Sequence, residues 1–115
     1  MIAAKYQHLI SIRFWKGKCQ DQGLRIICDY MLINNNLILL ELMNCAITPL
    51  GCEFLTRGLD PSLGSRLSVL KLDYNPEIGD AGIAILAECL IKNKVLTMVS
   101  LAYCGITAVG AESLF

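Results

Sequence analysis

Residues 37–51 read Leu37-Ile38-Leu39-Leu40-Glu41-Leu42-Met43-Asn44-Cys45-Ala46-Ile47-Thr48-Pro49-Leu50-Gly51. Residues 96–110 read Leu96-Thr97-Met98-Val99-Ser100-Leu101-Ala102-Tyr103-Cys104-Gly105-Ile106-Thr107-Ala108-Val109-Gly110. Apolar residues fall at identical offsets in the two stretches, and cysteine, isoleucine, threonine and glycine coincide as well. The shared pattern is L-x-x-L-x-L-x-x-N/C-x-I, and a search for such self-similarity precedes any local reading. Working outward, Gly23, Gly51, Gly82 and Gly110 mark four copies at intervals of 28, 31 and 28 residues.

The third copy carries Leu67, Leu70, Leu72, Asn75 and Ile78. Its longer interval comes from one added residue at Pro76-Glu77 and two in the loop Asp60 to Arg66. The first copy carries Leu9, Ile12, Phe14 and Cys19, with Gly17 where asparagine or cysteine belongs. After each marker glycine the apolar period changes from two to about four, as in Gly51, Leu55, Leu59 and Gly82, Leu86, Leu90. Each copy is therefore expected to be a strand followed by a helix. Thr48 with Pro49, and Thr107, suit helix starts. Asn34, Gly64 and Asn93, each three residues before a strand leucine, are expected to end helices in the left-handed conformation.

These phased motifs resemble the leucine-rich repeats of ribonuclease inhibitor, of Ran GTPase-activating protein and of the sensor domains of nucleotide-binding immune receptors. The resemblance runs from about Leu9 to Phe115 and implies an α/β solenoid, a horseshoe segment with a parallel sheet on the concave face and helices on the convex face. Stacking reaches the same arrangement physically, because one unit cannot bury its apolar face alone. The expected organisation is a single domain over residues 1–115, with a lead-in at 1–8 and repeats at 9–36, 37–66, 67–95 and 96–115. The last repeat is incomplete, so the apolar ends are expected to be covered by further repeats or partner chains.

Composition narrows the function. Hydrophobic residues make up 55% and charged residues 17%, with zero net charge, which supports neither a nucleic-acid footprint nor an acidic tail. No apolar run approaches the roughly 18 residues of a membrane span, and Met1 to Tyr6 lack a secretory pattern. Six cysteines without a C-x-x-C pair, some at core positions, read as buried free thiols in a reducing cytoplasm. No cofactor or metal is expected, since His8 is remote from any cysteine cluster. Catalytic motifs are absent too. Gly79-Asp80-Ala81-Gly82 is a turn entering a helix, and Glu53, Glu88 and Glu112 fall on outer helix faces.

Residues between the strand leucines face the concave surface and align in columns. One is Ser11, Leu39, Val69, Met98; a second is Arg13, Glu41, Lys71, Ser100; a third begins Trp15, Met43, Asp73. The first is mainly apolar, which points to a partner. The second reads as an ion-pair ladder worth little to stability. Trp15 reads either as an anchor for protein contact or as a cover over a weak first repeat.

The expected function is therefore a noncatalytic interaction module, a scaffold or adaptor, binding a protein through Arg13, Trp15, Leu39, Glu41, Met43, Val69, Lys71, Asp73 and Met98. The alternatives are part of a GTPase-activating regulator, with Lys16, Lys18, Asn44, Tyr74, Asn75 and Tyr103 on its loops, or of a larger sensor, ciliary or cytoskeletal assembly. Inhibition of a basic ribonuclease would need an acidic concave face, and the balanced charges argue against it.

Overall fold

A computed structural model describes residues 9–17 and 19–114. The expected lead-in at 1–8, with His8, as well as Lys18 and Phe115, lies outside the described residues. Four strands, β1 (Ser11–Phe14), β2 (Leu39–Leu42), β3 (Val69–Lys71) and β4 (Met98–Ser100), alternate with four helices. The helices are α1 (Gln20–Ile33), α2 (Pro49–Gly58), α3 (Gly79–Lys92) and α4 (Ala108–Glu112). All strands are parallel in the order β1-β2-β3-β4. Helices pack in the same sequence, α1 on α2, α2 on α3 and α3 on α4. This is the expected solenoid of strand and helix units.

Leu40 and Leu70 pair across β2 and β3 and, with Leu42, Leu72, Ile47, Ile78, Leu55 and Leu86, are fully buried between sheet and helices. Each such side chain stabilises the fold by about 1.5–3 kcal/mol. The core positions of the outermost described strands are less covered: Phe14 is 46% exposed and Val99 36%. The alignment places them correctly, but a strand with one neighbour cannot enclose them.

A pairwise alternation between repeats is superimposed on the common motif. Asp21 accepts hydrogen bonds from the Thr48 amide and hydroxyl, and Asp80 does the same for Thr107, its amide at 2.7 Å. Each threonine oxygen in turn accepts from the amide two residues on, Leu50 or Val109, and so caps its helix. The Thr107 bonds hold the Asp80 carboxyl below its usual range. Marker glycines Gly51 and Gly110 leave the room these carboxylates occupy, since a Cβ at either would overlap the aspartate oxygen.

Asn75 links the second repeat to the third. Its side-chain oxygen accepts from the amides of Cys45 and Ile47, at 2.9 and 3.2 Å, while its amide nitrogen donates to the carbonyls of Leu42 and Leu72, both at 2.7 Å. One buried side chain thus satisfies main-chain groups that the turn leaves without partners.

The helix exits differ from expectation. Asn34 and Asn93 are extended, with φ of −121° and −73°. Asn93 stops α3 through its side chain, which accepts from the amides of Val95 and Leu96 and donates to the Leu59 carbonyl. Gly64 is left-handed, but it ends the short 3-10 turn Pro61–Leu63 in the enlarged loop rather than α2. Asp60 opens that turn by accepting from the Ser62 amide and hydroxyl.

Candidate protein-binding surface

The strand register aligns Ser11, Leu39, Val69 and Met98 in one row and Arg13, Glu41, Lys71 and Ser100 in the next. Both rows lie on the sheet face away from the helices. The apolar row is graded in exposure, with Leu39 and Val69 half-buried between neighbours and Met98 45% exposed. In the charged row the groups converge on one carboxylate. Arg13 Nε stands 3.8 Å and Lys71 Nζ 3.7 Å from Glu41, which is buried, while Arg13 is exposed and Lys71 partly so.

Trp15 lies beyond the end of β1 and is 67% exposed, yet its indole N–H donates to Glu41. The ring therefore lies over the concave face, fixed at one edge and open elsewhere. With Met43, Asn44 and Tyr74 it lines a shallow cleft. Asp73 is engaged differently, accepting from the Ser100 hydroxyl at 2.6 Å and the Ala102 amide at 2.9 Å.

A feature the columns alone did not expose is the pair Tyr74 and Tyr103, whose rings stack 5.0 Å apart with planes 9° from parallel. Both occupy the residue before the asparagine or cysteine of the motif, and Tyr103 is 73% exposed. Their backbones are left-handed, with φ of 63° and 56°, a conformation that costs about 1–2 kcal/mol for a side chain of this kind. The signal was present in the alignment, but Pro76-Glu77 changes the distance from Tyr74 to its marker glycine. Together with Asn44, Pro76 and Gly105 the tyrosines line a second cleft along the same rim.

Other candidates fall away from this surface. Glu53, Glu88 and Glu112 are exposed on the helices, and Glu88 pairs with Lys92 one turn on, at 2.7 Å. Among the described residues no three His, Cys, Asp or Glu side chains gather as a metal site. No helix among them is long and apolar enough to cross a membrane.

All six cysteines are free thiols. Cys45 and Cys104 take the asparagine position and donate from sulfur to main-chain carbonyls, Cys104 to Leu72 at 3.0 Å and Cys45 to Met43 at 3.4 Å. Burial pushes Cys28 and Cys52 up to about 12 and Cys19 up to about 11. Since the thiolate is the nucleophile, Cys28 and Cys52 are expected to resist a chromogenic disulfide reagent at pH 8 in the folded chain and to react fully in denaturant. Rapid native reaction of either would contradict the buried assignment.

The family model for leucine-rich repeats matches residues 92–115. The chain is 28% identical to the Protein Cep78 homolog of Drosophila melanogaster, over 90% of this chain and 15% of that protein. It is 36% identical to human NACHT, LRR and PYD domains-containing protein 5, over 83% of this chain and 8% of that protein. Mouse ribonuclease inhibitor is 42% identical over 65% of this chain and 16% of its own length. The chain thus spans less than a fifth of each of these relatives. Repeats of this kind generally mediate protein–protein interaction. Four phased strand and helix units, joined by buried asparagine and cysteine ladders and matched by these relatives, make the chain a leucine-rich repeat protein of the ribonuclease-inhibitor-like type.

Proposed function

We propose that this chain is a noncatalytic binding module, a scaffold or adaptor, whose partner protein docks on the concave face and its adjoining rim. The observation that carries the reading is the exposed aromatic surface made by Trp15, Tyr74 and Tyr103 beside Met43, with Met98 exposed farther along the same sheet face. Large rigid side chains of this kind dominate the energetics of protein interfaces. Leu39, Val69, Arg13, Lys71 and Asp73 complete the contact, and Glu41 positions Trp15 from beneath. The proposed location is the cytoplasm, in keeping with six free thiols.

The apolar cleft between β1 and α1, lined by Leu9, Ile12, Phe14, Ile26, Ile27 and Tyr30, is a different kind of surface. It is the side of a repeat, and we assign it to a further repeat or a partner chain rather than to the concave-face ligand.

Replacing Trp15 and Met43 together by alanine is expected to abolish partner capture while leaving the circular dichroism spectrum unchanged. Neither side chain belongs to the core cluster, so the loss would reflect binding. Undiminished capture by the double variant would remove this face from the assignment.

A further inference from the structure

The two signs of charge on the concave face are not equally available. Glu41 is 6% exposed and holds the indole of Trp15, and one oxygen of Asp73 is shared between the Ser100 hydroxyl and the Ala102 amide. Glu41 is thus turned to an internal partner, and half-exposed Asp73 commits one of its two oxygens the same way. The cations are not so engaged. Arg13 and Lys71 approach Glu41 only at 3.8 and 3.7 Å, beyond hydrogen-bond length, so their donors remain available among the described residues. Lys16, exposed beside Trp15, adds a third cation at the rim.

A face whose charges balance formally, Arg13 and Lys71 against Glu41 and Asp73, therefore presents mainly positive charge outward. Arg13 and Lys71 come from strands on either side of β2, and each approaches a different oxygen of Glu41, so the two heads flank that one carboxylate, with the Trp15, Met43 and Tyr74 cleft nearby.

From this arrangement we propose that the docking partner is an acidic segment of another protein, carrying an aspartate or glutamate next to a large apolar side chain. The carboxylate sits on the solvent side of Arg13 and Lys71, above the buried Glu41, where charge-assisted hydrogen bonds to their open donors add to the two loose ion pairs beneath. The apolar group fills the cleft under Tyr74. A basic segment would meet like charge at both positions, which disfavours it strongly. This inference rests on the concave-face reading and adds to it the chemistry of the partner.

The stacked tyrosines support the same site. Tyr74 holds a left-handed backbone in which glycine would be unstrained, and its exposed ring walls both clefts.

A phage-displayed library of random dodecapeptides panned on the immobilised chain tests the proposal. Enriched sequences are expected to place an acidic residue beside a large apolar one. A synthetic enriched peptide is expected to bind at least about tenfold more weakly to an Arg13→Gln/Lys71→Gln variant. Tyr74→Gly, which leaves the backbone unstrained, is expected to weaken the same peptide by a similar factor.

Enrichment of basic or uncharged sequences, no enrichment at all, or full-strength binding to the Arg13→Gln/Lys71→Gln variant would overturn the acidic assignment. The Trp15→Ala/Met43→Ala variant separates this from the underlying reading. If basic or uncharged peptides emerge but are lost on that variant, the face stands and the partner's chemistry is wrong. If peptides bind it undiminished, the face itself is wrong.

Discussion

Asn75→Ala is expected to lower the unfolding free energy by about 4 kcal/mol, a large share of what a domain of this size commands. The side chain is fully buried and serves two amide donors, Cys45 N–H and Ile47 N–H, whose hydrogen bonds would be lost together. The Leu42 carbonyl loses its asparagine donor too. Leu72 and Asp73 are better protected, since the Cys104 thiol and the Asn44 amide also donate to their carbonyls. Each unsatisfied buried group costs about 1–3 kcal/mol, which sets the expected size.

Asn75→Cys offers an internal control. A thiol at this point can donate to a carbonyl, as Cys45 and Cys104 do at their own positions, but it cannot accept well from two amides. Its cost should fall between wild type and alanine. Urea denaturation measures all three, and an alanine variant within about 1 kcal/mol of wild type would contradict the account of the junction.

Gly105→Ala is expected to cost about 3 kcal/mol by combining two penalties. The backbone there has φ of +69°, and an added Cβ would overlap the Pro76 carbonyl oxygen, which is main chain and cannot swing aside. At the corresponding place in the second repeat stands Ala46, also left-handed with φ of 56°, and it is exposed. Ala46→Gly should therefore be close to neutral or mildly stabilising, because relief of strain offsets the greater freedom of glycine in the unfolded chain. Chemical denaturation of both variants checks the contrast. Equal effects at the two positions would contradict it.

The rows across the sheet were legible from the sequence because period and marker glycines fix the register, and register decides which residues become neighbours. Arg13, Glu41 and Lys71 could thus be placed side by side. Their unequal availability could not. Whether a carboxylate faces water or an indole depends on side-chain direction, and Trp15 reaches Glu41 on the neighbouring strand from beyond the end of its own.

The threonine caps were equally plain, since Thr48 and Thr107 stand before apolar helical stripes. Their aspartate partners lie 27 residues earlier in another unit, where no local pattern announces them. Asn34 and Asn93 misled for a related reason. Asparagine can end a helix through a left-handed backbone or through its side chain, and at Asn93 nearby amides at Val95 and Leu96 favoured the side chain.

Oxidative footprinting of side chains in the presence of a purified partner tests the central claim most directly, because the concave face and rim carry the readily oxidised Trp15, Met43, Tyr74, Met98 and Tyr103. The account predicts protection of these residues, with the exposed helix residues Ile26, Leu50 and Ile91 labelled as in the free chain. Protection confined to the helices, with Trp15 and Tyr74 still labelled at the free rate, would contradict it.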